Sequence, residues 1–293
     1  MEKYLPVIGP LADHVTVVEK GGIKIIRVAH PKATADISLH GGHVLSFKPT
    51  DQADVIWLSE KAEFDPAKAF RGGIPVCWPW FGRIAAPAHG FARTSLWHLV
   101  EHRETEHGVI ICLGLEESQE TMAIWPYTFQ ARLYVEISEK LKVTLEVSNT
   151  DNKAWQFSGA LHTYFNVADI RESVTTGMGP EYTDSLQDSK VCQGSTQLQL
   201  TDTVDRVYTQ PEDTIEITDP KNSRTIVIKN KGDNSAVIWN PWVDGAKSMG
   251  DMADDGYNTM LCVESTYHAS SLETGKTLQP DESYQLITEV SVK

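Results

Sequence analysis

His162 lies in the stretch Gly159-Ala160-Leu161-His162-Thr163-Tyr164-Phe165-Asn166, among aromatic and small apolar neighbours. An imidazole in such a place either fills the core as a satisfied residue or, partly desolvated, serves as a general acid with a pKa near the working pH. Glu264 closes the apolar run Met260-Leu261-Cys262-Val263-Glu264-Ser265. A carboxylate there is costly unless it is paired or used. Two readings stand: an ion pair with a nearby arginine, or a base strengthened because desolvation raises its pKa. Asp205, in Val204-Asp205-Arg206-Val207-Tyr208, is a third candidate, with a plain surface turn as its alternative.

A second group of candidates is concentrated in residues 70–99, FRGGIPVCWPWFGRIAAPAHGFARTSLWHL, which hold three arginines, two histidines and three prolines. Pro75, Pro79 and Pro87 fix φ while interspersed glycines free it, so this backbone follows an irregular path that can aim side chains at one point. Arg71, Arg83, His89 and Arg93 are the side chains to aim, and Trp78, Trp80 and Phe81 are flat apolar surfaces beside them. Together they suit an anionic sugar. The alternative is a proline-rich crossover whose arginines are solvated and whose tryptophans fill core. The remaining histidines carry less. His40 and His43 flank a Gly-Gly pair and read as turn residues rather than metal ligands, since no cysteine or acid stands beside them. His98, His102 and His107 read as solvated cross-strand neighbours of Glu101 and Glu106, and His14, His30 and His268 stand alone. No glycine loop has the spacing of a nucleotide-binding fingerprint.

The elements that must position these residues read as strands. Short runs bounded by Gly, Pro or Asp occur at 14–19, 24–29, 34–39, 44–49 and 54–58, with a Gly21-Gly22 hairpin between the first two. Beyond the central segment, strands are expected at 96–104, 108–115, 128–138 and 140–149. The last alternates polar and apolar residues almost throughout, so one of its faces must be buried. Further strands fall at 155–167, 174–176, 195–200, 203–208, 214–219, 224–229, 235–240, 259–266 and 284–292. A serine-capped helical turn is expected at 118–126, a loop with one helical turn at 244–256, and a long amphipathic helix nowhere. Roughly twenty short strands without intervening helices indicate one all-β domain over residues 1–293, a large antiparallel sandwich.

Bulk composition narrows the function. A net charge of −14, from 40 acidic and 26 basic residues, disfavours nucleic acid and anionic membrane as partners. Cys77, Cys112, Cys192 and Cys262 form no CxxC pair and read as buried free thiols. After a short N-terminal lead there is no charged-then-apolar signal, and no apolar run of about 18 residues occurs, so a cytoplasmic protein is expected.

FRGGIPVCWPWFG, AHGFAR, LHTYFNV, VDRVY and LCVES, in this order, resemble the hexose-6-phosphate 1-epimerase branch of the aldose 1-epimerase (galactose mutarotase-like) superfamily over nearly the whole chain. The resemblance implies a β-sandwich and cofactor-independent interconversion of hexose-phosphate anomers. It implies that His162 protonates the ring oxygen and that Glu264 takes the proton of the anomeric hydroxyl. Arg71, His89, Arg93 and Asp205 become substrate contacts, with Arg83, Trp80 and Phe81 as additional ones. One departure is Ala88, where some relatives carry glutamine. Neither metal nor organic cofactor is implied, and the expected partner is a small hexose phosphate bound by a monomer. The rival readings are a non-catalytic sugar-phosphate binder and a glycoside-active enzyme on a similar sandwich. The second would need two carboxylates where the strongest pair here is one His and one Glu.

Overall fold

The computed structural model describes residues 5–293, so part of the N-terminal lead lies outside the described residues. Alternation decides the architecture. Phe129–Ile137 places every second residue in the core, and Leu141–Asn149 pairs with it antiparallel from Leu141 opposite Ile137 to Asn149 opposite Phe129. A one-residue slip would turn Leu133, Val135, Val143 and Leu145 to water, which fixes the register. These strands belong to a nine-stranded antiparallel sheet that also holds His98–Thr105, Gly108–Glu116 and Ser283–Val292.

A five-stranded meander covers Val7–Ala12 to His43–Pro49. Its second and third strands meet at Gly21 and Gly22, with φ of +57° and +76°, the positive φ at both positions that a two-residue hairpin demands. An eight-stranded sheet contains Gly159–Leu161, Val204–Tyr208, Ser235–Asn240 and Met260–Tyr267. Met260–Tyr267 packs against Ser283–Val292, and the Ser265 hydroxyl donates to the Ile287 carbonyl, so Ser265 faces the nine-stranded sheet. Alternation then turns Cys262 and Glu264 to the other face.

The sequence reading needs local corrections. Residues 54–58 form isolated bridges at Ile56 and Leu58 rather than a strand. The run 155–167 breaks into Trp155–Phe157, Gly159–Leu161 and Tyr164–Asn166. Strands at Val7–Ala12, Val76–Cys77, Glu181–Asp184, Lys190–Gln193 and Lys276–Leu278 were not expected, being short or weakly alternating. The capped helix is Gln119–Ile124, with Ser118 and Thr121 closing a capping box. Among the described residues the longest helix is Trp242–Ser248, 7 residues, and no helix is long and apolar enough to cross a membrane.

Residues 70–99 wrap the edge of the eight-stranded sheet. Val76–Cys77 pairs with Gly159–Leu161, while Trp78 bridges Gly90 in parallel. Gly90 has φ +71°, and a Cβ there would stand 2.1 Å from the Trp78 carbonyl oxygen, so only glycine lets the two arms of the loop meet. Trp78 packs edge-on against Phe91, Trp125, Phe129 and Trp155. Trp80 is 1% exposed and its indole donates to the Pro87 carbonyl. Both tryptophans therefore belong to the core, and Trp80 is corrected from a sugar contact to a structural residue. His40 and His43 donate from Nε2 to the carbonyls of Lys68 and Gly72 and so pin the start of the loop. All four cysteines are free, but Cys192 is half-buried rather than buried.

Candidate active site

The strand pairing around Met260–Tyr267 stops and restarts at His162 and Thr163. Leu161 lies opposite Ser265 and Tyr164 opposite Cys262, while the His162 and Tyr164 amides donate to the Pro75 and Gly73 carbonyls of the loop. This break lifts His162 out of the ladder and presents its ring beside Glu264. Across the same face run Tyr164, Cys262, Trp239 and Asp205, each directly opposite the next. Asp205 is thus a strand residue on the site face, not a turn residue, and Arg206 turns away over the Tyr182 ring.

His162 Nδ1 stands 3.3 Å from Glu264 Oε1, with 11% of the histidine side chain and 1% of the glutamate side chain exposed. The partner of Glu264 is therefore His162, not an arginine. The two atoms are close without being aligned: His162 Nδ1 and Glu264 Oε2 are both buried with no hydrogen-bond partner. Most buried polar groups are hydrogen-bonded, so two unpartnered atoms on neighbouring side chains mark this pair as a candidate site. Burial, reinforced by the Asp205 carboxylate, pushes Glu264 well above the usual carboxylate range. Burial, then His89, Arg93 and Arg71, pushes His162 well below the ordinary imidazole value. Burial thus disfavours the charged form of both groups, and at this separation the titration of one is coupled to that of the other.

The imidazole is fixed from both sides. The Tyr164 ring stacks on it at 4.9 Å and 8°, and Trp57 stacks behind Tyr164 at 5.9 Å. Trp239 meets His162 edge-on at 6.3 Å. The His89 ring lies 5.8 Å from that of His162, and its Nδ1 accepts from the Gly82 amide, which leaves the proton on Nε2. Desolvation, with Arg93, Arg83 and Arg71 nearby, takes His89 down to about 4. Phe81 touches His89 at 5.1 Å, His162 at 6.4 Å and His268 at 6.5 Å between ring centroids. His268 is therefore a rim residue of this site rather than an isolated one.

Arg71 Nε donates to Asp251 Oδ1 and Nη1 to the Tyr164 hydroxyl, each at 3.1 Å, which holds the guanidinium where its field reaches His162. Arg93 Nη2 donates to the Ala88 carbonyl at 3.0 Å. At the departure position it is the Ala88 backbone that serves the site. Arg83 is exposed and reaches His89 only through its field. Asp205 is pushed up by burial, opposed by a bond from Ser185.

The structure thus brings His162, Glu264, Asp205, Arg71, His89, Arg93 and Phe81 to one face and leaves Trp80 out. Sequence reasoning missed Tyr164, Trp239, Cys262 and Asp251. Strand alternation from His162 and Glu264 points to Tyr164 and Cys262, whereas Trp239 follows only from the pairing that sets it opposite Cys262, and Asp251 sits in an irregular segment and carried no signal. Chemically, the arrangement can give a proton to one oxygen of a ligand and take one from another, with fixed cations for an anionic substituent.

The model of the aldose 1-epimerase family matches residues 24–291 of the chain. The chain belongs to the aldose 1-epimerase family. It is 37% identical over 276 residues to an Escherichia coli K12 protein provisionally named glucose-6-phosphate 1-epimerase, covering 93% of this chain and 92% of that one. A Cenchrus ciliaris protein with the same provisional name is 34% identical over 274 residues, covering 89% and 82%. Among solved structures, a Salmonella typhimurium protein, YeaD, provisionally described as a mutarotase, superposes with a TM-score of 0.93 at 35% identity, covering 98% of this chain and 96% of that one. The all-β sandwich of this aldose 1-epimerase family member is the galactose mutarotase-like fold.

Proposed function

We propose that this family member is a mutarotase acting on a hexose 6-phosphate, with glucose 6-phosphate the first candidate, and that His162 and Glu264 perform the proton transfers. The observation that carries the reading is the pair itself: two buried groups 3.3 Å apart, each with an atom that no other group satisfies. In this reading protonated His162 donates to the ring oxygen while Glu264 takes the proton from the anomeric hydroxyl. The C1–O5 bond breaks, C1 becomes an aldehyde, rotation about C1–C2 exposes its other face, and reclosure returns both protons. Asp205 and His89 hold sugar hydroxyls, and Arg71 and Arg93 hold the phosphate.

The phosphate assignment has an electrostatic consequence. In the free protein burial, with the His89, Arg93 and Arg71 fields, disfavours a charged His162, and burial disfavours a charged Glu264. A dianionic ester offsets the arginine fields, so substrate binding itself favours a protonated His162, the acid of this reading. The names of the relatives support a phosphorylated substrate. The test is relaxation of pure α-glucose 6-phosphate toward anomeric equilibrium, with α-glucose in parallel. Acceleration selective for the ester supports the reading; equal acceleration removes phosphate recognition, and none removes catalysis.

A further inference from the structure

The acid–base reading leaves Cys262 without a task, although it sits between the working groups. One ring nitrogen of His162, Cys262 Sγ and one carboxylate oxygen of Glu264 lie within 4.8 Å of one another, and Cys262 and Glu264 are buried. We propose that these three side chains form a binding site for a thiophilic divalent cation of the Zn2+ or Cd2+ class, and that its occupancy inhibits the enzyme by consuming both halves of the proton-transfer pair. The inhibition rests on the acid–base reading above; the binding does not.

Geometry supports it. Tetrahedral zinc, with bonds of about 2.0–2.3 Å, wants its nitrogen and oxygen ligands about 3.3 Å apart and its sulfur about 3.6 Å from each. His162 Nδ1 and Glu264 Oε1 already stand at 3.3 Å. Small side-chain rotations bring the sulfur in. The His162 Nδ1 lone pair is uncommitted, and so is the other carboxylate oxygen, Glu264 Oε2, since neither has a hydrogen-bond partner. Charge also closes: a dication with one thiolate, one carboxylate and a neutral imidazole is electrically neutral, which suits a buried site. Ligation as a thiolate releases the Cys262 proton to solvent, and any proton on the ligating carboxylate or imidazole nitrogen leaves with it. Arg71 and Arg93 oppose a cation here, but Arg71 is paired to Asp251, and the Asp205 carboxylate is felt by both Cys262 and Glu264. Three protein ligands leave a fourth tetrahedral position, which water would fill.

The experiment titrates Cd2+ into the full chain and follows the thiolate-to-metal charge-transfer band, then measures each protein's mutarotase rate with Zn2+ relative to its own metal-free rate. The proposal expects a saturable band in the wild type and its loss in both Cys262→Ser and Cys262→Ala. It also expects affinity reduced at least about tenfold in Glu264→Gln, because even the partners behind metal ligands are worth about 10–100-fold. Zinc inhibition should weaken at least about tenfold in the Cys262 variants. A band that persists in a folded Cys262→Ala protein, reporting Cys77, Cys112 or Cys192 instead, overturns the site, as does a wild type without a band. A band confined to Cys262 in a protein with no mutarotase activity would support the metal site and remove the acid–base reading.

Discussion

Replacing Arg71 with methionine should lower kcat/KM for a hexose 6-phosphate by about 10–150-fold and leave the unphosphorylated sugar within about threefold. The figure follows from what the guanidinium does. Two of its nitrogens are committed at 3.1 Å, to Asp251 and to the Tyr164 hydroxyl, and the third is left for a ligand oxygen. A hydrogen bond between charged partners is worth about 1.5–3 kcal/mol, which is that range of rate. With 27% of each side chain exposed, the Arg71–Asp251 pair is shielded enough for the upper half of the range to apply. The loss has a second component, because methionine leaves the Asp251 carboxylate unpaired beside the bound phosphate and repelling it. Arg71→Met/Asp251→Asn should therefore recover part of the activity, with a coupling of about 0.5–3 kcal/mol between the two sites. Removing the cation also lets His162 take a proton more readily, so the acid limb of the pH profile should move to higher pH. The assay is anomer relaxation with both sugars under matched conditions. An equal fall for both sugars, or no fall for either, would refute the assignment of Arg71 to the phosphate.

Other expectations concern neighbouring groups. Tyr164→Phe keeps the stack on His162 but removes the Arg71 contact, so KM for the ester should rise severalfold at nearly constant kcat; a collapse of kcat alone would place the hydroxyl in the chemistry. Gly90→Ala should cost more than about 2 kcal/mol in urea unfolding, since its Cβ meets the Trp78 carbonyl at 2.1 Å and its φ is +71°. Stability should fall on acidification. Burial lowers His43 from 6.5 to about 3, so the unfolded chain binds its proton first, and this stability, complete above the unfolded value, is lost as pH drops from 6.5 toward 3. At pH 4.5 that amounts to about 3 kcal/mol, and the loss should shrink in His43→Gln; an unchanged acid dependence would contradict it.

Much of this site was legible because strands write their faces into the sequence. Glu264 stood out as one carboxylate in an apolar run, and the alternation that turns it away from Ser265 also carries Cys262 to the site. His162 was legible as an acid or a core residue, and only the break in pairing at His162 and Thr163 places it beside Glu264. Residues 70–99 announced an irregular, cationic loop, but sequence does not say which aromatics a loop keeps. Trp80 went to the core because its indole finds the Pro87 carbonyl there, while Phe81, with no polar atom to satisfy, stayed at the rim. The Asp251–Arg71 pair spans 180 positions and joins two irregular segments, so no period could reveal it. Strands such as Val76–Cys77, two residues long, exist only because a neighbour supplies the ladder.

The most direct test of the account compares wild type, His162→Ala and Glu264→Gln in the relaxation of α-glucose 6-phosphate, with circular dichroism confirming that each is folded. General acid–base catalysis contributes about 10²–10⁴-fold, so the account predicts that the wild type accelerates relaxation and that each variant loses at least about a hundredfold. A folded His162→Ala or Glu264→Gln protein that still relaxes the sugar at close to the wild-type rate would contradict it.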